Sequence, residues 1–282
     1  MILSTQIITD SSADLPKELI EKLKITIVPL CVHFGEERMP SDLSAKEFYT
    51  RMKASKNLPT TASPSPHTFL QTFIEASKVH DHIVVMCLSS NISSTYQNAL
   101  VAKELFEEQG LPGKVEVIDT RSFSLGLGLQ VVKAATHALA GITMHDLMDK
   151  VRDNVKEITA YFTLENLENV IKGGRLDRIR GTVASVLNIK LLLKISETGT
   201  VDVIEKVRGT QNALNRLIDK IGEKHHDFEK AIVGICHSSC EERALDVKRR
   251  ILAKYPFKEV ILSDMGPVIG SYAGEGGIGV AY

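Results

Sequence analysis

Two clusters of side-chain hydroxyls stand where the sequence pattern predicts that a strand meets a helix. The first cluster is Thr60-Thr61-Ala62-Ser63-Pro64-Ser65, and the second is Ser89-Ser90-Asn91-Ile92-Ser93-Ser94-Thr95. Hydroxyls and the free N–H groups of a helix's first turn are neutral donors that can hold a carboxylate or phosphate without reacting with it. The clusters therefore predict an anion-binding site. Helix capping is the alternative for some of these hydroxyls, since Ser and Thr are common N-cap residues.

The sequence motifs of common catalytic sites are missing. No Gly-x-Ser-x-Gly elbow and no Gly-x-x-x-x-Gly-Lys-Ser/Thr phosphate loop occurs. The run Gly274-Glu275-Gly276-Gly277-Ile278-Gly279 matches Gly-x-Gly-x-x-Gly, but no helix is predicted after it, so a dinucleotide site is not expected. None of the nine histidines lies in a His-Glu-x-x-His motif. We therefore expect a protein that is not an enzyme.

Composition excludes several classes of function. The formal net charge is −1, so no global field attracts nucleic acid or anionic lipid. Hydrophobic residues make up 43% of the 282 residues, which is ample for a folded core. No apolar stretch approaches the roughly 18 residues of a membrane span, and no basic region precedes an apolar run at the start of the chain. We expect a cytoplasmic protein without membrane insertion.

Cysteine usage agrees with a reducing compartment. Cys31 and Cys87 lie inside apolar strand-like runs and are predicted to be core residues. The segment Cys236-His237-Ser238-Ser239-Cys240 offers three metal-ligand side chains, but its spacing matches no zinc pattern. We therefore predict no metal site.

Strands alternate with helices along the chain. Strands are predicted at 6–9, 25–32, 82–88, 115–118, 158–162, 201–207, 230–235 and 259–262, and helices at 16–23, 44–56, 66–78, 94–109, 128–140, 164–172, 210–224 and 240–255. This alternation is typical of α/β proteins with largely parallel sheets. The pattern restarts near Glu157, so we predict two α/β domains, residues 1–157 and 158–282. Ligands often bind between such domains. Both hydroxyl clusters would then lie at the carboxyl ends of strands, where such sheets bind ligands.

Five segments together resemble the DegV family over nearly the whole chain. They are Thr9-Asp10-Ser11-Ser12-Ala13-Asp14-Leu15-Pro16, the two hydroxyl clusters (the second continued by Tyr96-Gln97), Lys172-Gly173-Gly174-Arg175-Leu176, and Gly266-Pro267-Val268-Ile269-Gly270. The resemblance implies a carrier that binds a long-chain fatty acid in a ligand tunnel between two α/β domains. It also implies a partner, a fatty acid kinase, to which the carrier presents the carboxylate for phosphorylation in phospholipid metabolism.

The resemblance also assigns residues to the ligand. Thr61 and Ser93 match the family's carboxylate-binding hydroxyls, and Arg208 matches an arginine near the head group. Tyr272 stands where the closing loop of the family usually has histidine, and Ala62 replaces a common serine. The other expected ligand-binding residues are Ser94, Ile92, Gly270 and Ser271. The hydrophobic residues expected to line the pocket for the acyl tail are Ile92, Phe162, Leu191 and Ile269.

Two alternatives and one candidate surface stay open at this stage. The first alternative is an enzyme, a phosphotransferase or hydrolase that uses Ser93. The second is a regulator that binds nucleic acid, although the sequence shows neither a basic face nor a recognised nucleic-acid-binding motif. A basic group, Lys172, Arg175, Arg178 and Arg180, could dock an acidic partner or simply be a solvated helix end.

Overall fold

The computed structural model describes residues 4–40, 42–176, 188–224 and 227–282. Its strands, in chain order, are β1 Thr5–Asp10, β2 Thr26–Val28, β3 Cys31–Phe34, β4 Glu37–Arg38, β5 Thr60–Ala62, β6 His82–Cys87, β7 Lys114–Asp119, β8 Ala160–Thr163, β9 Ile189–Ile195, β10 Val201–Arg208, β11 Ile232–His237, β12 Glu259–Asp264 and β13 Ile278–Ala281. Its α-helices are α1 Lys17–Lys22, α2 Ala45–Ala54, α3 Pro66–Ser77, α4 Thr95–Glu108, α5 Leu125–Leu139, α6 Met144–Glu157, α7 Glu168–Lys172, α8 Thr210–Gly222, α9 Glu241–Lys254 and α10 Pro267–Ala273.

The chain forms two compact units. Unit 1 holds residues Met1–Cys31, Thr61–Ile158 and Glu197–Thr200. Unit 2 holds residues Val32–Thr60, Thr159–Ser196 and Val201–Tyr282. Among the residues that the structure describes, no helix has both the length and the apolar composition needed to cross a membrane.

Unit 1 is built on a parallel sheet with the strand order β2-β1-β6-β7. Every residue of β6 is buried, which explains why His82–Cys87 reads as an almost continuous hydrophobic run rather than an alternating one. Helices α3 and α4 pack on one face through a core that includes Phe69, Phe73 and Phe106. Helix α5 packs against β1 and β6, and α6 packs on α5. The α/β architecture predicted from the alternation is confirmed here.

Unit 2 contains a mixed six-stranded sheet with the order β10-β9-β8-β13-β11-β12. Only the β11–β12 pair is parallel among the neighbouring strands of this sheet, so the expectation of largely parallel sheets holds for unit 1 and not for this one. The physical reason lies partly in the connections, because β9 and β10 are joined by a short turn, and a parallel pair needs a long crossover. Helices α8 and α9 cover one face of the sheet.

Two local predictions need correction. The strand expected over 25–32 is interrupted, because β2 ends at Val28 and β3 begins at Cys31. Pro29 lies at the break, and proline has no N–H to donate to the hydrogen bonds between strands.

Helix α6 was not predicted, although Thr143 accepts a hydrogen bond from the Asp146 N–H as its N-cap. The pattern Thr143-x-x-Asp146 before Leu147 was the available signal.

Candidate functional site

The two hydroxyl clusters meet in unit 1. The Ser63 and Ser93 hydroxyl oxygens are 3.0 Å apart, and the Ser94 hydroxyl donates to the Ser63 oxygen at 3.0 Å. The amide of Asn98 in α4 donates to the Pro64 carbonyl at 2.8 Å, which ties the first cluster to the helix that follows the second. Segments about 30 residues apart in the chain therefore form one group of hydroxyls, which we call the hydroxyl cradle and define as Ser63, Ser93, Ser94 and Thr95.

Ser93 has the most hydrogen-bond partners in the cradle. Its hydroxyl oxygen lies 2.9 Å from the Thr95 hydroxyl and accepts a bond from the Thr95 N–H at 3.3 Å. Among the described residues, the hydrogen-bond partners of this hydroxyl are therefore other hydroxyls and a backbone amide, none of which is a general base. The arrangement suits holding an anion better than activating a nucleophile.

Ser94 occupies the N-cap position of α4, but its side chain makes no capping hydrogen bond there. Its hydroxyl bonds to Ser63 instead, so the plain capping interpretation does not apply to this residue. The first turn of an α-helix also presents N–H groups without intrahelical acceptors, and these favour anions. Helix α4 thus brings its N-terminus to the hydroxyl cradle.

The remaining predicted residues of unit 1 lie on the same two segments. Thr61 is half-buried in β5, and Ala62 ends that strand with an exposed side chain. Ile92 is half-buried in the loop before α4. Ser63, which follows Ala62 directly, was not singled out as a ligand residue from the sequence. Its place inside the first hydroxyl cluster was the signal for it.

A buried carboxylate lies at the end of β1. Asp10 is fully buried, and its Oδ1 accepts bonds from the Ser12 N–H at 3.0 Å and from the Ser12 hydroxyl. Its Oδ2 accepts a bond from the Leu88 N–H at 2.8 Å. Burial raises the pKa of Asp10, and the hydrogen bonds from Ser12 and Leu88 oppose that rise. The Thr-Asp-Ser-Ser motif therefore connects β1 to the loop that leaves β6.

A second carboxylate lies on the other side of that loop, at the end of β7. Asp119 accepts bonds from the Ser90 N–H at 3.2 Å, from the Ser90 hydroxyl at 2.6 Å and from the Arg121 N–H at 2.9 Å. Thr120 donates its hydroxyl to the Cys87 carbonyl at 2.8 Å. The loop after β6 is thus hydrogen-bonded to both neighbouring strands of the sheet.

The turn Glu197–Thr200 also contacts this loop within unit 1. The Asn91 side-chain amide donates to the Thr198 carbonyl. A Cβ added at Gly199 would lie 2.1 Å from the Ser89 hydroxyl oxygen, and Gly199 has φ +80°. Only glycine fits this position without strain, because the backbone is left-handed and the neighbouring side chain is close.

In unit 2, α10 carries Gly270, Ser271 and Tyr272. Added to Gly270, a Cβ would lie 2.5 Å from the Tyr49 hydroxyl oxygen and 2.8 Å from Cε1 of Phe48, so glycine is needed for α10 to approach α2. The Ser271 side chain is buried, and its hydroxyl donates to the Pro267 carbonyl at 2.7 Å. Tyr49 donates its own hydroxyl to the Met265 carbonyl at 2.9 Å.

The aromatic ring of Tyr272 packs on the glycine-rich motif that follows α7. A Cβ at Gly173 would lie 2.6 Å from Cδ1 of Tyr272, and the Arg175 guanidinium carbon lies 5.0 Å from the ring centroid. The Asn169 amide donates to the Ser271 carbonyl at 3.2 Å. Ser271 and Tyr272 of α10 are therefore in direct contact with α7 and with the glycine-rich motif that follows it, within unit 2.

One face of the six-stranded sheet combines apolar residues with small ones. Leu193, Phe162, Gly279 and Cys236 pair in register across four strands, and Ala160, Ala281 and Gly234 pair in the neighbouring row. Leu191 lies on the same face as Leu193, since side chains alternate along a strand. The opposite face packs against α8 and α9 through Tyr161, Leu192 and Ile235. The predicted lining residues Phe162 and Leu191 thus share the face that these helices do not cover.

The other predicted residues of unit 2 can be placed individually. Arg208 ends β10 with an exposed side chain, and Ile269 is half-buried in α10. Lys172 forms an i,i+4 ion pair with Glu168 on the exposed side of α7. Arg178 and Arg180 lie outside the described residues. In the described part of the chain, no group of three or more His, Cys, Asp or Glu is arranged to hold a metal ion.

Similarity to known proteins extends over the whole chain. The family model DegV, described as an uncharacterised protein of the DegV family, matches residues 4–282. A DegV domain-containing protein of Listeria innocua is 35% identical over 281 residues, which cover 98% of this chain and 97% of that protein.

Two solved structures of similar proteins are described in connection with fatty acids. One is a protein of the DegV family from Ruminococcus gnavus with vaccenic acid, which superposes with a TM-score of 0.91 at 28% identity. The match covers 99% of this chain and 100% of that protein's chain. DegV from Bacillus subtilis, a fatty acid binding protein, gives a TM-score of 0.88 at 29% identity, with 99% and 98% covered. From the whole-length family match and these similarities, we conclude that this chain belongs to the DegV family.

Proposed function

We propose that this protein binds a long-chain fatty acid and presents its carboxylate to a partner fatty acid kinase. The hydroxyl cradle is the observation that carries the proposal, because it gathers neutral donors from two distant segments at the N-terminus of α4. Thr61 and Ser93 are the residues that we expect to bind the carboxylate oxygens, with Arg208 and Tyr272 near the head group. The fatty acids bound by similar DegV proteins support the ligand class.

Neutral donors suit a carrier for a chemical reason. Hydroxyl and amide groups favour the ionised carboxylate without attacking it, so the acid stays intact and one of its oxygens can still react with a phosphoryl donor. Each hydrogen bond to a charged group is worth about 1.5 to 3 kcal/mol. The head-group contacts therefore orient the ligand, and they account for the smaller share of the affinity.

The tail accounts for most of the affinity. Burying about 14 methylenes contributes about 11 kcal/mol gross, at about 0.8 kcal/mol per CH2, before the ordering costs of binding. The sheet face that carries Phe162 and Leu191 supports this part of the proposal, because its residues are apolar or small and because α8 and α9 cover the opposite face. The prediction from the sequence that the tail lies between the two domains stays a prediction.

The kinase part of the proposal rests on the family resemblance and on the basic residues after α7. Lys172 and Arg175 are exposed cations at the end of α7, where an acidic surface of a kinase could dock. We expect charge reversal at Lys172 to weaken this docking while fatty acid binding is retained.

Lipid extraction followed by fatty acid analysis tests the ligand. Protein purified from its own bacterium, and examined by native mass spectrometry, should carry a long-chain acid, and Ser93→Ala should carry less. Repeated recovery of empty protein would contradict the proposal.

A reconstituted reaction tests the carrier role. Purified fatty acid kinase and ATP should form acyl phosphate only when the loaded protein is added. If instead the purified protein alone turned over an acyl ester or acyl phosphate, and Ser93→Ala abolished that turnover, the enzyme alternative would replace the carrier.

A further inference from the structure

The loop that leaves β6 is held on both sides by carboxylates from neighbouring strands. Strand β6 lies between β1 and β7 in the sheet, and Asp10 and Asp119 are the last residues of these two neighbours. Asp10 accepts the Leu88 N–H, and Asp119 accepts both the N–H and the hydroxyl of Ser90. The two carboxylates thus bind the residues immediately before and after Ser89.

The bond to the Ser90 N–H determines where Ser93 lies. The Ser90 N–H and the Ser89 carbonyl belong to the same planar peptide unit, so fixing one end of this unit orients the other. The Ser89 carbonyl in turn accepts bonds from the N–H groups of Ile92 and Ser93, each at 3.2 Å. The Asp119 carboxylate is therefore connected to the backbone of Ser93 through one rigid peptide plane.

Both carboxylates accept hydrogen bonds more strongly than an amide would, because they are charged. Asp10 accepts three hydrogen bonds, from the Ser12 N–H, the Ser12 hydroxyl and the Leu88 N–H. Asp119 accepts three as well, from Ser90 twice and from the Arg121 N–H. An asparagine at position 10 would set its NH2 group against the Leu88 N–H or the Ser12 N–H. At position 119 the NH2 group would donate to the Ser90 hydroxyl, but the Ser90 and Arg121 N–H groups would lose their charged acceptor. Hydrogen bonds to ionised groups are roughly twice as strong as neutral ones.

Building on the proposed function, we propose that Asp10 and Asp119 are positioning residues for carboxylate recognition. They hold the segment Leu88–Ser93 so that the Ser93 hydroxyl is fixed in the hydroxyl cradle, and they do not bind the ligand themselves. Their role is specific to the head group, because the apolar tail does not depend on where the Ser93 hydroxyl lies.

A pair of ligands with the same tail separates this role from a general effect on folding. Oleic acid and oleyl alcohol share the hydrocarbon chain, but only the acid carries a charged head group. Their dissociation constants should be measured by titration calorimetry for wild type, Asp119→Asn and Asp10→Asn. Asp81→Asn is the matched control, because exposed Asp81 accepts the Ser4 N–H at the opposite end of β6.

We expect Asp119→Asn to weaken oleic acid binding about tenfold, equivalent to about 1.4 kcal/mol, and to change oleyl alcohol binding by less than about twofold. Asp81→Asn should change neither dissociation constant. Amide proton signals of Ser90 and Ser93 should move in Asp119→Asn and stay in place in Asp81→Asn. If Asp10→Asn fails to fold because Asp10 is buried, the half-buried Asp119 carries the test by itself.

Equal losses of affinity for oleic acid and for oleyl alcohol in Asp119→Asn would overturn the inference and leave Asp119 only a structural role. Unchanged oleic acid binding in Asp119→Asn would overturn it too. If wild type bound neither ligand, the proposed function would fail and this inference with it. That result is distinct from the first two, in which wild type still binds oleic acid.

Discussion

The hydroxyl oxygens of Ser63 and Ser93 lie 3.0 Å apart, although 30 residues separate them in the chain. The contact joins the segment after β5 to the loop before α4. If this pair holds the ligand's carboxylate, removing one hydroxyl also removes one hydrogen-bond partner of the other.

The first prediction concerns these two hydroxyls. Ser93→Ala and Ser63→Ala should each weaken oleic acid binding about tenfold, because hydrogen bonds to a charged group are worth about 1.5 to 3 kcal/mol. Ser77→Ala is the matched control, since the Ser77 hydroxyl donates to the Ile74 carbonyl within α3. Titration calorimetry measures the effect, and full affinity in Ser93→Ala would place the carboxylate elsewhere.

The second prediction concerns Gly270 and the approach of α10 to α2. Gly270→Ala should lower the free energy of unfolding by about 1 to 3 kcal/mol, as overpacking of a close contact does. The added methyl would meet the Tyr49 hydroxyl oxygen. Urea denaturation measures the change.

A suppressor variant provides the control for Gly270. Tyr49→Phe removes the clashing oxygen, so the double variant should lose less stability than the sum of the two single variants. Strict additivity would show that the contact between Gly270 and Tyr49 is not the cause.

The third prediction is a pH dependence at Glu165. Burial acts to raise the pKa of Glu165, but the bonds and charges of Lys190 and Arg243 more than offset it, so the pKa is lowered. A carboxyl group with a lowered pKa stabilises the fold above its ordinary value of 4.5, and this contribution is lost as the pH falls through the folded-state pKa. The Tm difference between wild type and Glu165→Gln should therefore be largest near neutral pH and shrink below pH 4.5.

Glu165 is well placed for such an effect, because the Lys190 side chain is only 13% exposed and its ammonium group pairs with the Glu165 carboxylate. Arg243 connects Glu165 to the Gly276 carbonyl, in the loop after α10. Glu259→Gln, at an exposed position that begins β12, is the control. A Tm difference that stayed constant from neutral to acidic pH would contradict the prediction.

The fourth prediction concerns Tyr272, which stands where the family resemblance leads us to expect a histidine. In Tyr272→His, oleic acid affinity relative to wild type should rise as the pH falls below about 6.5, because an imidazolium can pair with the carboxylate. Arg175 lies 5.0 Å from the ring and disfavours a second cation, so the midpoint should lie below that value. Tyr272→Phe is the control, and identical pH profiles for both variants would exclude position 272 from the head-group site.

Local patterns in the sequence determined much of this protein. The apolar run 82–88 predicted a buried strand of a largely parallel sheet, and Pro66 marked the start of α3, since both features depend on neighbours in the chain. The five motifs also identified the family, and the surplus of hydroxyls around Ser93 led to the prediction of an anion-binding site. These are properties of short segments, which composition and spacing record directly.

Other features depended on which segments meet, and only the tertiary structure decided them. No spacing rule indicates that Ser63 bonds to Ser93, that Asp119 orients the peptide before Ser90, or that Tyr272 packs on Gly173. The antiparallel insertion of β13 between β8 and β11 is equally invisible in a strand-and-helix pattern. The physical reason is that hydrogen bonding and packing act between atoms close in space, whereas sequence periodicity reports only on residues close along the chain.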